Sequence, residues 1–327
     1  MRVLSQGCRS RLTAAASWRA DSGATPTIDN RASIGALVSK TVVRSCGWLF
    51  VLPALAMYAT FVLWPLATSV RYSMLDWNGI GQSRWIGFEN YRRILTDPDQ
   101  LTPIVNSLKL IAFFTIVPVA VGLVSAALMH DSRSRFVGAF RTTLFLPQVI
   151  PLVASGIVWG WIYSSTGVLN QSLEWMGLDS WTRPWLGDFD LALPAVGVVG
   201  AWVLTGFCTL LLTSGISKID AQLYDAAKVD GAGRVREFFA VTLPGVRREI
   251  GVCVIVTMIG ALASFDIVFI TTRGGPGRET LVPGVQIYWL TFLERRIGAA
   301  SAMAVILMLL IWILVLPTQK YFQRDPN

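Results

Sequence analysis

Histidine occurs once, at His130, and the four cysteines (Cys8, Cys46, Cys208 and Cys253) include no Cys-x-x-Cys pair. A single imidazole cannot build a multi-histidine metal centre, and His-Glu-x-x-His is missing, so hydrolytic metal chemistry is not expected. Scattered thiols give neither a zinc ligand set nor a disulfide framework. No Gly-x-x-x-x-Gly-Lys-Ser/Thr run is present, so the chain has no P-loop to cradle phosphates. Charge is scarce too: 15% of the 327 residues are charged against 53% hydrophobic, with mean hydropathy +0.54. That composition is too apolar for an ordinary soluble domain and points to a membrane protein. The first 40 residues carry Arg2, Arg9, Arg11, Arg19, Arg31 and Lys40 but no apolar run, so no secretory or lipoprotein signal is read there. Segment 1–47 is expected as a cytoplasmic, disordered tail.

What is present is a set of long apolar stretches. A bilayer core takes about 20 apolar residues per helix, and six stretches qualify: 48–70, 108–129, 144–163, 191–214, 250–271 and 298–316. An all-α integral membrane domain of six helices over 48–317 follows, with a short tail at 318–327. Prolines within or near these stretches (Pro65, Pro118, Pro147, Pro151 and Pro194) are tolerable where neighbouring helices satisfy the freed carbonyls. With the N-terminus inside, the inner connections hold eighteen Lys and Arg against eight in the outer ones. Both termini are then cytoplasmic, in a bacterial-type cell membrane. That bias accounts for the net charge of +8 without nucleic acid, for which no binding motif is seen. Membrane lipid is the expected surrounding. Trp77, Trp85, Trp175, Trp181, Trp185 and Trp289 fall in the outer connections, where interfacial belts explain most tryptophans and a sugar ring or a docking protein could engage a few. The first outer connection is expected to fold as short helices.

Between the fourth and fifth stretches lies a charged, alanine-rich loop, 219–244, containing "YDAAKVDGAGRVREFFAVTLP". Asp220 is a good N-cap for a helix to about Val229, and Gly231 supplies the freedom for a turn. A second helix is expected to stop at Pro244, with Val235, Phe238, Phe239 and Val241 as an apolar side against the membrane helices. By composition alone this is a juxtamembrane helix resting on lipid headgroups.

The loop resembles the EAA loop of ABC importer permeases, matching at Asp225, Ala226, Ala227, Asp230, Gly231, Ala232, Phe238, Leu243 and Pro244. Two departures stand out: the leading Glu is Asp225, which keeps the charge and shortens its reach, and Asp220 replaces the proline usual before it. Further fragments in order, "FRTTLFLPQVIP", "WLGDFDLALPA" and "FDIVFITTRGGPGRETLVPGVQIYWLTF" among them, are similar to carbohydrate-uptake permeases of the maltose-permease type. The resemblance implies a cytoplasmic coupling helix that docks on a separate ATPase. Ala226, Ala227 and Ala232 would allow close approach, Asp225 and Asp230 would offer charged contacts, and Gly231 would permit the bend. It also implies a second homologous permease, two ABC ATPase subunits and an extracytoplasmic solute-binding protein. ATP and Mg would bind on the ATPases and no cofactor in this chain, which is therefore not expected to be an enzyme.

The same resemblance puts the substrate pathway midway along the fourth and fifth helices, at Gly200, Val203, Leu204, Phe207, Thr257, Gly260, Ala261 and Ser264. Several positions that offer amides in the family are small or apolar here. Trp202 and Phe207 are candidates to stack on a sugar, with Thr257 and Ser264 as hydrogen-bonders. Asp266 is the one acidic residue within the six stretches, and ionisable groups there are default functional candidates. The implied cargo is a di- or oligosaccharide, with a polyol or glycerol-phosphate-type solute as the alternative. A secondary transporter would show broken helices with ion ligands, and a membrane enzyme a catalytic cluster; the coupling loop argues against the first and the missing cluster against the second.

Overall fold

The computed structural model describes residues 51–130 and 135–323, so the expected tail over 1–47 lies outside the described residues. The first of two units of the chain ends at Trp64. Its described part begins α1, a 23-residue apolar helix, Val51–Ser73. The larger unit, from Pro65 onward, is a helical bundle. A two-residue antiparallel ladder, β1 (Leu75–Asp76) with β2 (Arg84–Trp85), is its one departure from an all-α fold among the described residues. α2 (Glu89–Thr96) follows, as expected of this connection. α3 (Pro98–His130) has 33 residues and is about 50 Å long, well beyond a hydrocarbon core of about 30 Å. It starts ahead of the expected span because Asp97 accepts the Asp99 N–H at 3.0 Å and Pro98 occupies the first turn.

Two expected spans are not single rods. The third is α4 (Val137–Val149) and α5 (Leu152–Ile162), which meet at 102°. Pro151 excludes the residue before it from helical geometry, and Ile150 is extended at ψ 130°. After α6 (Val168–Trp175) and α7 (Ala192–Ile216), the loop holds α8 (Ala221–Val229) and α9, which opens at Arg234–Glu237. The fifth span is continuous only as α10 (Arg247–Leu262), breaks at 263–265 and resumes as α11 (Asp266–Thr271). α12 (Pro283–Tyr288) precedes α13 (Ile297–Gln323), which runs seven residues beyond the expected end at 316. Among the described residues, four helices (α1, α3, α7 and α13) are long and apolar enough to cross a membrane, or five with the bent pair.

Three prolines are accommodated by one local device. The π turns Ala59–Leu63, Ala112–Ile116 and Phe238–Thr242 each end two residues before a proline, at Pro65, Pro118 and Pro244. Trp64 N–H bonds to Ala59 O and Leu243 N–H to Phe238 O, an i to i−5 pairing. Proline lacks the N–H and its ring crowds the carbonyl one turn back; widening that turn relieves both problems within the helix. For this reason α9 does not stop before Pro244 as expected. It passes through the π turn, closes at Leu243–Gly245 and yields at Val246.

α7 is the most buried of the four long helices. A Cβ on Gly200 would overlap the Phe114 ring, and one on Gly206 would lie 2.6 Å from the Leu144 carbonyl oxygen. Small residues thus let α3 and α4 approach the α7 backbone, which is how helices gain packing energy where lipid removes the hydrophobic drive. Thr205, Thr209 and Thr213 donate to Ala201, Thr205 and Thr209 carbonyls at 2.7, 2.8 and 2.6 Å, so a buried hydroxyl stripe is satisfied along its own helix.

Candidate functional site

The loop 219–244 is built as its chemistry dictates. Asp220, at φ −61° and ψ 127°, accepts the Gln222 N–H at 2.9 Å and starts α8. At the other end Gly231 takes φ +74°, its N–H bonds to Lys228 O at 3.0 Å, and Ala232 N–H bonds to Ala227 O at 2.9 Å. That pair of bonds is a Schellman motif, which turns the chain sharply through a left-handed residue. α8 anchors through one side chain, Tyr224, which is buried, hydrogen-bonds Thr242 at 3.2 Å and lies 5.2 Å from the His130 ring at the end of α3. Asp225, Ala226, Asp230 and Gly231 are exposed, and Ala227 and Ala232 partly so. Asp225 reaches only Lys228, at 3.9 Å on an exposed face, a pair of small energetic weight.

The structure corrects the expected apolar side of the second loop helix at two of its four residues, leaving Phe238 and Val241 half-buried. Val235 and Phe239 point outward, at 73% and 59% exposure, while Glu237 and Thr242 are buried. The π turn at Phe238–Thr242 adds a residue to the turn and rotates the face that follows it. Outward Leu223, Val229, Val235 and Phe239 leave the loop with an apolar surface beside its exposed acids. Between the loop and the end of α3 lies a cavity of about 330 Å³, lined by Val124, Leu128, His130, Tyr224 and Glu237 among others.

Of the pathway residues expected from sequence, Gly200, Val203, Leu204, Gly260, Ser264 and Asp266 share one cavity of about 230 Å³ with Phe114 and Leu152. Trp202, Phe207, Thr257 and Ala261 do not line it. Trp202 packs edge-on against Trp159 at 5.6 Å, and Phe207 packs in a separate cluster with Leu212 and Ile216. Thr257 is fully buried, and its hydroxyl donates to Cys253 O at 2.8 Å. Ala261 is fully buried in the core cluster. Ser264 differs: its buried hydroxyl has no hydrogen-bond partner among the described residues. It sits where α10 breaks, beside exposed Asp266 at the start of α11. The cavity is otherwise apolar, and Gly200 serves the Phe114 ring rather than an open wall.

Three buried asparagines that belong to no motif secure the connecting loops. Asn90 donates to Ser73 O and Leu75 O at 2.9 Å, and Asn106 to Arg278 O and Leu281 O at 3.1 Å. Asn170 donates to Arg183 O at 3.0 Å and accepts the Trp185 indole N–H at 2.8 Å. All three lie within helices (Asn90 in α2, Asn106 in α3, Asn170 in α6), and their burial with bonds to loop carbonyls shows them to be clamps.

Residues 118–326 match the family model described as the binding-protein-dependent transport system inner membrane component. The chain is 34% identical over 279 residues to the probable ABC transporter permease protein YurN of Bacillus subtilis, covering 84% of this chain and 95% of that one. It is 33% identical over 265 residues to the diacetylchitobiose uptake system permease protein NgcF of Streptomyces coelicolor, with 77% and 75% covered. A chain from a bacterial ABC transporter involved in alginate import shares the fold at TM-score 0.75 and 24% identity, over 89% of this chain and 100% of that chain. The chain therefore belongs to the binding-protein-dependent transport system inner membrane components, the permeases of ABC importers.

Proposed function

We propose that this chain is one of two permease subunits of an importer for a di- or oligosaccharide. The cargo passes a bundle cavity that separate ATPase subunits switch between inward and outward access. An extracytoplasmic solute-binding protein delivers the sugar, ATP and Mg act on the ATPases, and this subunit is not an enzyme. In this reading α1, α3, the bent α4 and α5, α7, the broken α10 and α11, and α13 make six crossings, with both termini and the loop cytoplasmic. The observation that carries it is the loop: a helix capped at Asp220 and closed at Gly231 that is held by Tyr224 and presents Asp225, Ala226 and Asp230 outward. That is the form a docking element needs, rigid at its root and free on its face. The saccharide rests on the sequence resemblance and on the similarity to NgcF, a diacetylchitobiose uptake permease. The cavity fits it in having Ser264 and Asp266 but no Lys or Arg in its lining, which favours a neutral cargo over a phosphate.

The chain should co-purify with an ATPase and a second permease, and the reconstituted complex should take up sugar only with ATP and a loaded binding protein. Isolation without any ATPase, together with uptake that ignores ATP, would sink the proposal.

A further inference from the structure

On the loop joining α6 to α7 lies a cleft of about 440 Å³ that belongs to neither the bundle cavity nor the coupling loop. Its walls include Ser180, Trp181, Arg183, Trp185, Asp188 and Asp190. Trp185 is fixed, its indole N–H bonded to the clamp residue Asn170 at 2.8 Å and its ring against the bundle core. Trp181 sits on a short 3-10 turn, Asp179–Trp181, with 64% of its surface open. Asp188 uses one carboxylate oxygen, Oδ1, to accept the Asp190 and Leu191 N–H groups at 2.9 and 3.1 Å, where α7 begins. Its other oxygen, the Asp190 carboxylate and the Arg183 guanidinium make no hydrogen bond or ion pair among the described residues, although all three side chains line one cleft.

We infer that this cleft is a saccharide subsite that holds one pyranose ring against Trp181 while Asp188, Asp190 and Arg183 bind its hydroxyls. The inference rests on the saccharide reading above and adds a place on the surface where the sugar is met before the bundle. The chemistry is complementary. A pyranose has a C–H face that covers an indole, and hydroxyls that both donate and accept. Carboxylates only accept and guanidinium only donates, so the cleft offers partners for both halves of each hydroxyl. The volume lies within the range of small-molecule sites. An interfacial belt explains a lone exposed tryptophan, but it does not call for an arginine and two aspartates with open hydrogen-bonding positions around it.

The test uses the assembled importer in nanodiscs without its binding protein, probed by saturation-transfer NMR. The ligands are a panel of neutral di- and trisaccharides, with mannitol as an open-chain polyol lacking a ring face. Saturable saccharide binding is expected. Trp181→Ala should weaken it by about tenfold, Asp190→Asn by about fivefold, and Trp181→Phe by no more than about threefold. Basal ATPase activity should be unchanged in all three variants, which shows that the complex is intact. Wild-type binding in Trp181→Ala, or competition by mannitol equal to that of a saccharide, overturns the subsite. Uptake assays separate the two proposals: saccharide transport with an unchanged KM in Trp181→Ala removes the subsite alone, whereas a wild-type importer that neither binds nor carries any saccharide removes both.

Discussion

Among the described residues Asp225 makes one ion pair, an exposed 3.9 Å contact with Lys228, so its substitution reads out docking and not folding. Asp225→Ala should leave the melting temperature within about 1 °C while cutting ATP-driven uptake, since a charge pair at an interface is worth about 1.5–3 kcal/mol once desolvated. Asp225→Glu, which restores the reach of the family residue, should transport at least as well as the parent. Equal uptake by the Ala variant would remove this residue from coupling. Gly231 can be separated from it. A Cβ there meets no atom within 4 Å, but φ is +74°, so Gly231→Ala costs about 1 kcal/mol of local strain. Gly231→Pro also deletes the N–H that bonds Lys228 O and cannot reach that φ. Expression should persist in both, with uptake reduced in the first and abolished in the second. Ser264 is the reverse of a structural residue. Removing an unsatisfied buried hydroxyl is neutral or stabilising, so Ser264→Ala should hold or raise thermal stability while raising the KM for uptake. An unchanged KM would take it out of the sugar path.

At the scale of elements, the apolar runs located the membrane helices because length and hydropathy are properties of a segment alone. α1, α3, α7 and α13 overlap the stretches expected for them. The 102° bend between α4 and α5 and the break at 263–265 were less legible. Pro151 marks the first locally, but the second contains no Pro or Gly, only Ala263, Ser264 and Phe265, and is set by what surrounds it. The π turns explain a further miss. Pro244 reads as a stop, yet a widened turn carries the helix through it. The pathway shows the same division. Gly200, Val203, Leu204, Gly260, Ser264 and Asp266 came together in one cavity, while Thr257 lies outside it with its hydroxyl on a carbonyl of its own helix. Close approach is the property most worth testing here. A side chain at Gly206 would push the α4 backbone at Leu144 and Phe145, which cannot swing aside as a flexible side chain would. Gly206→Ala should therefore destabilise the detergent-solubilised protein by about 1–3 kcal/mol, seen as a lower midpoint of thermal unfolding. A midpoint equal to the parent's would mean that the two backbones are not in contact.

For the whole molecule, the proposed orientation places two exposed regions on opposite sides of the membrane. Val229 at the tip of α8 is 87% exposed, and Trp175 at the end of α6 is 90% exposed. If eighteen inner and eight outer Lys and Arg set the topology, the first faces the cytoplasm and the second the exterior. The described thiols, Cys208 and Cys253, are buried in the bundle, so a reporter cysteine at either surface reacts alone once Cys8 and Cys46 are replaced by serine. In right-side-out vesicles a membrane-impermeant maleimide should label Trp175→Cys and spare Val229→Cys; in inverted vesicles the pattern should exchange. Because the proposed coupling role needs the loop to meet an ATPase and the proposed subsite needs the α6–α7 cleft to meet arriving sugar, this one measurement bears on both proposals at once. Labelling of both cysteines from the same side would invalidate the six-crossing arrangement. The opposite exchange would put the cleft in the cytoplasm, where it could not receive cargo from outside.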